Sequence, residues 1–385
     1  MLVFYLIGVG LTEPQTGMLL TLTLAGDTLV SLYLTTRADR IGRRRMLVVG
    51  AMLMAAAGLT FASTRNLWLL VAAGTIGVIS PSGNEVGPFL AIEQASLAQL
   101  VPDRTRTAVF AWYTLAGSLA TAFGALAGGS VTQALQGIGL EPVNSYRGVV
   151  ILYAGLGVTL TVLFARLSPA AEASAPGQKA RFPPTSSGRL GIARSRGVVI
   201  KLSGLFALDS FGGGFVVQSF AAYWFYLRFG VAPGALGVIF FWANIFAGLS
   251  ALLASRLASR FGLINTMVAT HLPSNVLLIL VPLMPTLPMA IVVLLVRFSI
   301  SQMDVPTRQS YLMAVVSPDE RSAAAGITGV ARTIGAAISP FFVGLMFARP
   351  SLINLPFFIA GSVKIVYDLL LYSQFVAVQP PEEAG

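Results

Sequence analysis

No cysteine occurs in the 385-residue chain, and histidine occurs once, as His271. The first absence excludes disulfide bridges and thiolate metal sites, and the second excludes a histidine-based metal site. Charge is sparse: 10% of residues are Asp, Glu, Lys or Arg, where ordinary soluble domains carry about 25%. Acids are the scarcer sign, 15 against 25 basic residues, leaving a net charge of +10. The sequence holds no glycine-rich nucleotide loop, no cluster of metal ligands and no Ser/His/Asp arrangement, so neither an enzyme nor a cofactor is expected. The apolar start, residues 1–10, lacks a basic leading segment and does not read as a cleavable signal peptide.

Apolar residues are abundant, at 55% of the chain, with a mean hydropathy of +0.79. A soluble fold of this size could not keep so much apolar surface from water, so the chain reads as all-α and integral to a membrane. Eleven runs are long enough to span: 17–36, 46–62, 66–99, 107–135, 148–165, 198–227, 233–256, 263–284, 287–316, 321–347 and 354–376. With the stub 1–10 taken as helix 1, these are helices 2 to 12. In a soluble chain the basic excess would suggest nucleic acid, but here the positive charges gather in short loops, which orients a protein in the bilayer. Arg37 to Arg45, Arg104 with Arg106, the segment 168–197, Arg256 with Arg260, and Arg321 fall on one side, read as cytoplasmic. A plasma (inner) membrane is the expected location, with the C-terminus inside and no nucleic-acid partner.

Segment 168–197 is rich in Pro, Ser, Ala and Gly and carries five cations, which predicts a flexible basic linker. It separates an N-terminal bundle, 1–167, from a C-terminal bundle, 198–378, followed by a tail, 379–385. The two halves repeat. Displaced by 220 residues, Gly10 falls on Gly230, Gly17 on Gly237, Ala38 on Ala258, Arg40 on Arg260 and Gly42 on Gly262. The second half has about 30 residues of helix before its Gly230, and the first has nine before Gly10. Roughly 20 residues of helix 1 are therefore expected to be missing, which suggests a start-site artefact.

Residues 35–45, Thr-Thr-Arg-Ala-Asp-Arg-Ile-Gly-Arg-Arg-Arg, set five arginines and one aspartate between two apolar runs. This predicts a tight turn at a membrane face. The stretch resembles the loop signature between helices 2 and 3 of the major facilitator superfamily, Gly-x-Leu-Ala-Asp-Arg-x-Gly-Arg-Arg-x-x-Leu. Ala38, Asp39, Arg40, Gly42, Arg43, Arg44 and Leu47 match, while Thr35 and Arg37 depart from it. The resemblance implies two pseudo-symmetric six-helix bundles around a central cavity lined by helices 1, 4, 7 and 10. It also implies that the bundles rock to open that cavity alternately to each side, with Asp39, Arg40, Gly42, Arg43 and Arg44 latching the inner face. In helix 5, residues 124–129 (Gly-Ala-Leu-Ala-Gly-Gly) are similar to a pattern of the family's proton-driven exporters, with Ala125 where a proline belongs. That leans the expected direction toward export.

Charged residues inside spans are costly and mark the candidate site. Glu85 and Glu93 lie in helix 4, where Pro81, Gly83, Gly87 and Pro88 predict an unwound stretch. Glu85 is a coupling or substrate candidate, and Glu93 is expected to pair with a loop arginine. Asp209 lies midway along helix 7, before the glycines Gly212 to Gly214 that permit bending or close approach, and Gln218 follows. Asp304 is seven residues from Arg297 and four from Arg308, so the three share one face of helix 10, as a self-satisfied ion network, as a site for an anionic or zwitterionic solute, or as a partner for Glu85 or Asp209. Lys364 and Asp368, four apart in helix 12, are expected to neutralise each other, His271 to be an ordinary polar residue, and Tyr223 to Tyr226 to be interface anchors.

The chain therefore reads as a monomeric secondary transporter whose partners are a small solute, a coupling proton or other ion, and the bilayer. The rival reading is a non-transporting receptor or scaffold on the same fold, whose cavity would hold no unpaired polar groups.

Overall fold

The computed structural model describes residues 1–79, 89–101, 103–172, 192–317 and 320–378. Within them every regular element is helical: α1 (Leu2–Gly8), α2 (Glu13–Ile41), α3 (Arg43–Ser63), α4 (Leu67–Ile76), α5 (Phe89–Leu100), α6 (Asp103–Gly137), α7 (Pro142–Ala165), α8 (Arg196–Gly214), α9 (Gln218–Phe229), α10 (Pro233–Phe261), α11 (Leu263–Leu280), α12 (Leu287–Ile300), α13 (Asp304–Val315), α14 (Arg321–Phe347) and α15 (Leu355–Phe375). Ten stretches among the described residues are long and apolar enough to cross a bilayer.

Local chemistry sets several helix ends. Thr12 and Gln15 form a reciprocal capping box at the start of α2, with Pro14 in its first turn. The Asn66 side chain accepts from the N–H groups of Trp68 and Leu69 and starts α4. The joint between α2 and α3 is the single residue Gly42, at φ +117°, and its repeat mate Gly262 joins α10 to α11 at φ +82°. Each donates its N–H to the carbonyl four residues back, Ala38 and Ala258, at 2.9 Å. Gly10 and Gly230 likewise share positive φ, at +104° and +64°. Side chains resist such conformations, so these paired positions need glycine.

Three of the apolar runs do not form one continuous helix, the first of them where an unwound stretch is expected. Run 66–99 gives α4 and α5, and α4 ends where Gly77 turns extended; Glu85 lies outside the described residues. Run 198–227 breaks at residues 215–217 between α8 and α9, and run 287–316 breaks at 301–303 between α12 and α13. The second break corrects the expectation for helix 10. Arg297, in α12, and Asp304, in α13, are not seven residues apart on one regular helix, so Arg297 does not share the face of Asp304 and Arg308.

The chain divides into two compact units. Unit 1 comprises Met1–Ala175, Val217–Phe241 and Pro340–Ile353; unit 2 comprises Pro176–Val216, Trp242–Ser339 and Asn354–Gly385. Small residues bring helices together in unit 1. A Cβ built on Gly157 of α7 would lie 2.7 Å from the Ala55 nitrogen of α3, and one on Gly58 2.8 Å from the Ala154 Cβ. Gly17 of α2 meets Gly344 at the end of α14, and Gly129 of α6 meets Gly237 at the start of α10, where added Cβ atoms would lie 2.9 and 2.7 Å from the opposing Cα. Tyr223, Trp224 and Phe225 are buried, with only Tyr226 exposed. They pack on Phe4, Phe229 and Phe347 instead of anchoring at an interface. Meanwhile Ile151, Leu152, Leu156, Val162 and Leu163 of α7 face outward, which suits lipid as the surrounding solvent.

The core of unit 2 packs Leu202, Leu205 and Phe206 of α8 against Met267 of α11, Tyr311 and Leu312 of α13 and Leu371 of α15. The first residues of this unit's description are pinned by Glu320, whose carboxylate accepts N–H bonds from Ala193, Arg194 and Ser195 at 2.5, 2.9 and 2.8 Å. These bonds favour the ionised form and hold the carboxyl down at about 2.

Two tests follow from this geometry. Replacing Gly42 by Ala forces a side chain into a conformation reserved for glycine and should cost about 1–3 kcal/mol, read as a lower unfolding midpoint in detergent. Gly117→Ala, with nothing within 4 Å, should be neutral or stabilising by up to about 1 kcal/mol. For Glu320, the folded carboxyl lies below its ordinary 4.5, so its contribution is complete above about pH 4.5 and disappears as pH falls toward about 2. The stability gap between wild type and Glu320→Gln should be constant from about pH 7 to pH 5 and narrow by about pH 3.

Candidate functional site

Unit 2 buries a connected set of ionisable side chains from four helices. Asp209 is at its centre, in the C-terminal half of α8 and 5% exposed. Its Oδ2 accepts from the Arg308 guanidinium of α13 at 2.8 Å, and its Oδ1 from Lys364 Nζ of α15 at 2.5 Å. Arg308 also reaches Asp304 Oδ2, one turn earlier, at 3.1 Å, and its guanidinium lies 5.3 Å from the Phe206 ring centroid. From α11, His271 places Nε2 3.7 Å from Asp209 Oδ1 and Nδ1 2.7 Å from Asp368 Oδ1 of α15. Asn275, one turn along α11, donates to the second Asp368 oxygen at 2.9 Å.

The glycines of α8 admit these partners. A Cβ on Gly212 would stand 2.9 Å from Lys364 Cγ, and one on Gly214 2.5 Å from the Ala336 carbonyl oxygen. Close approach, expected from the glycine triplet, is therefore what lets the Lys364 stem lie along α8. Bending occurs as well, just past the triplet at 215–217. Around the cluster, Asn275 Oδ1, the Tyr367 hydroxyl, Thr266 Oγ1 and Ser274 Oγ are buried without a hydrogen-bond partner among the described residues.

The sequence expectations divide at this point. Asp209, Asp304 and Arg308 are brought together. Lys364 and Asp368 do not neutralise each other, because Lys364 is taken by Asp209 and Asp368 by His271 and Asn275. His271 is no ordinary polar residue, since it bridges two carboxylates on different helices. Arg297 stands apart: its guanidinium lies 5.0 Å from the Phe298 ring centroid and its Nε is unpartnered. Gln218 opens α9, in unit 1. Glu93, also in unit 1, accepts a short hydrogen bond from Tyr113 instead of the expected arginine. The bridging role of His271 left one trace in the sequence, namely a lone histidine inside an apolar run.

At the loop 35–45 the Asp39 side chain lies outside the described residues, and Arg40 and Arg44 are exposed while Arg43 is buried. The N–H groups of Arg43 and Arg44, at the start of α3, donate to the Glu172 carboxylate at 2.6 and 3.3 Å. An anion at a helix N-terminus is favoured by the exposed N–H groups and the dipole. Glu172 follows a single 3-10 turn, Pro169–Ala171, so this edge of the segment read as a flexible linker is ordered.

A model of the Major Facilitator Superfamily matches residues 1–340. The chain belongs to the major facilitator superfamily. It is 32% identical to the "uncharacterized membrane protein YJR124C" of Saccharomyces cerevisiae, over 98% of this chain and 90% of that one. Solved structures of the same fold include a variant of the nucleoside transporter NupG (TM-score 0.73, 13% identity, 97% of this chain and 93% of that one) and the xylose transporter XylE of E. coli (TM-score 0.70, 14% identity, 94% and 89%). The protein is thus a multi-pass membrane transporter of the major facilitator superfamily.

Breaking one side of a buried ion pair leaves a charge uncompensated, at about 3–5 kcal/mol. Asp209→Asn and Lys364→Met should each lower stability by about that much. The double variant should lose less than their sum, by about 1–3 kcal/mol. A double-mutant cycle by chemical unfolding in micelles measures this, and strict additivity would show that the two side chains do not interact.

Proposed function

We propose that the protein is a proton-coupled secondary transporter that moves a small solute by alternating access, with export as the favoured direction. The observation that carries this reading is the buried Asp209 cluster. Its three carboxylates and two permanent cations lie within stretches long and apolar enough to cross a bilayer. Charges at that depth are costly, and in membrane proteins they are kept where protons or solutes are handled. The superfamily resemblance supplies the frame: bundles 1–167 and 198–378 joined by the segment 168–197, with Asp39, Arg40, Gly42, Arg43 and Arg44 as the inner latch. Glu85, Asp209, Arg308 and Asp304 are proposed to act in coupling or solute binding, with Glu93, Gln218 and Arg297 as further candidates. The direction rests on residues 124–129 and their likeness to exporters. The proposed setting is a plasma (inner) membrane, as a monomer, with the linker and C-terminus cytoplasmic.

The receptor or scaffold reading draws on the mutual pairing of Asp209, Arg308 and Lys364, which a purely structural network would also show. The unpartnered Asn275 Oδ1 and Tyr367 hydroxyl weigh against it. Reconstituted protein separates the two readings. Uridine and D-xylose are the first solutes to try, since solved proteins of this fold include a nucleoside transporter and a D-xylose-proton symporter. Flux should rise at least tenfold with an imposed pH gradient, and Glu85→Gln or the paired Asp209→Asn/Lys364→Met variant should lose that rise. Equal flux in all three would remove both acids from the mechanism, and no flux of any solute would favour the receptor.

A further inference from the structure

The single histidine lies in a place that charge balance makes consequential. The side chains in ion-pair contact are three carboxylates, Asp209, Asp304 and Asp368, and two permanent cations, Arg308 and Lys364. With a neutral His271 ring this set carries one net negative charge; with an imidazolium it carries none. Arg297, on α12, lies beyond ion-pair distance, but its buried guanidinium also interacts electrostatically with Asp304 and Asp209, so the single negative charge belongs to the directly paired set alone. The cations are unevenly shared. Asp209 holds both Lys364 and Arg308, whereas the charged partner of Asp368 is His271 alone, helped by the neutral Asn275 amide. The Tyr367 ring stands edge-on to the imidazole at 5.9 Å and offers it no charge. His271 is 5% exposed and Asp368 1%, so water does little to screen any change on the ring.

We propose that His271, seated on Asp368, is the site that takes up and releases the coupling proton, and that its occupancy makes or breaks the tie between α11 and α8. The inference rests on the proton-coupled reading above and names the group that titrates. In the charged ring both nitrogens carry hydrogen: Nδ1–H donates to Asp368 and Nε2–H points to Asp209 Oδ1. Loss of the proton breaks one N–H bond and passes the proton to water, with no other bond changed. The remaining hydrogen is assigned to Nδ1 on its 2.7 Å contact with Asp368; the Asn275 amide nitrogen, 3.1 Å from the same ring nitrogen, then donates to Asp368 alone. The Nε2 lone pair then faces a carboxylate oxygen at 3.7 Å, and an attraction becomes a repulsion. The tie from α11 to α15 survives in both states, whereas the tie to α8 exists only when the ring is charged. Asp209 keeps Lys364 and Arg308 throughout, so it is a fixed counter-charge.

Because the chain has one histidine, protein labelled with [13C,15N]histidine and purified without a histidine tag gives one ring signal. That signal should pass between charged and neutral forms as pH is raised, with the neutral form protonated at Nδ1. The response of the ring to pH should differ in Asp368→Asn. A ring that keeps one form at every pH at which the protein is folded, or that behaves identically in Asp368→Asn, would overturn the proposal. Hydrogen exchange of α8 and α11, corrected for its intrinsic pH dependence, should follow the ring in wild type and lose that dependence in His271→Gln. Should His271→Gln not fold, the wild-type ring signal and Asp368→Asn still decide. In vesicles, His271→Gln should lose the gradient-driven rise in uridine or D-xylose flux at least tenfold while solute exchange without a gradient persists. A full gradient response in His271→Gln would sink the proton site and leave the transporter reading intact. No solute flux even in wild type would sink the transporter reading, and the ring titration and exchange would still decide whether the bridge binds a proton.

Discussion

A carboxylate buried in a spanning helix has no water to turn to, so its neutralisation dictates which helices meet. Asp209 illustrates the constraint. Lys364 reaches it from α15 and Arg308 from α13, and His271 faces it from α11. None of these partners lies on α8, and each contact fixes the rotation of a different helix about its own axis. Buried ion pairs contribute little net stability, because desolvation offsets most of the attraction. They do make the alternatives costly, since turning any one helix by half a turn would leave a bare charge in apolar surroundings. Aliphatic packing in unit 2, through Leu202, Phe206, Met267 and Leu371, fills space around that arrangement without specifying it.

Close approach is the second requirement, and glycine meets it. Lipid is as apolar as leucine, so apolar burial gives spanning helices little reason to associate; contact area and small residues must supply it. Lys364 could not reach Asp209 past a side chain at Gly212. In unit 1 the meetings of Gly17 with Gly344 and of Gly129 with Gly237 follow the same logic. Gly17 and Gly237 are also mates in the 220-residue repeat, each meeting a glycine on a different helix.

What the sequence made legible was local or periodic. Apolar runs located the spans because solvent quality is averaged over some twenty residues. Gly42 and Gly262 stood out because a one-residue joint leaves few alternatives, and the repeat tied them together before any dihedral angle was known. Partner choice was not legible. Lys364 and Asp368 sit four apart, the spacing that suggests a pair on one helix, yet each found a better-placed partner across a helix interface. Aromatic residues 223–226 carried the composition of an interface belt, but long-range packing against Phe4 and Phe347 buried three of them. The break at 215–217 follows the glycine triplet that allowed for it, whereas the break at 301–303 was marked only by Pro306 in the first turn of the helix after it. Glu172 and Glu320 escaped notice because they bind backbone N–H groups, and nothing in a side-chain pattern marks a backbone donor.

That last pair bears on the surface charge. A carboxylate satisfied by two or three N–H groups does not need a guanidinium or ammonium to hold it. Glu320 spends its oxygens on Ala193, Arg194 and Ser195, and Glu172 engages the first amides of α3. Arg40, Arg44 and Arg45 are exposed. The anchoring of the chain at both edges of the segment 173–191 is thereby separated from the positive charge of the loop. Had Glu320 bound an arginine side chain, its anchor would have cancelled a charge that orients the protein. Backbone capture lets the fold secure those edges and keep its arginines facing outward, where an anionic lipid surface attracts each by roughly 1 kcal/mol.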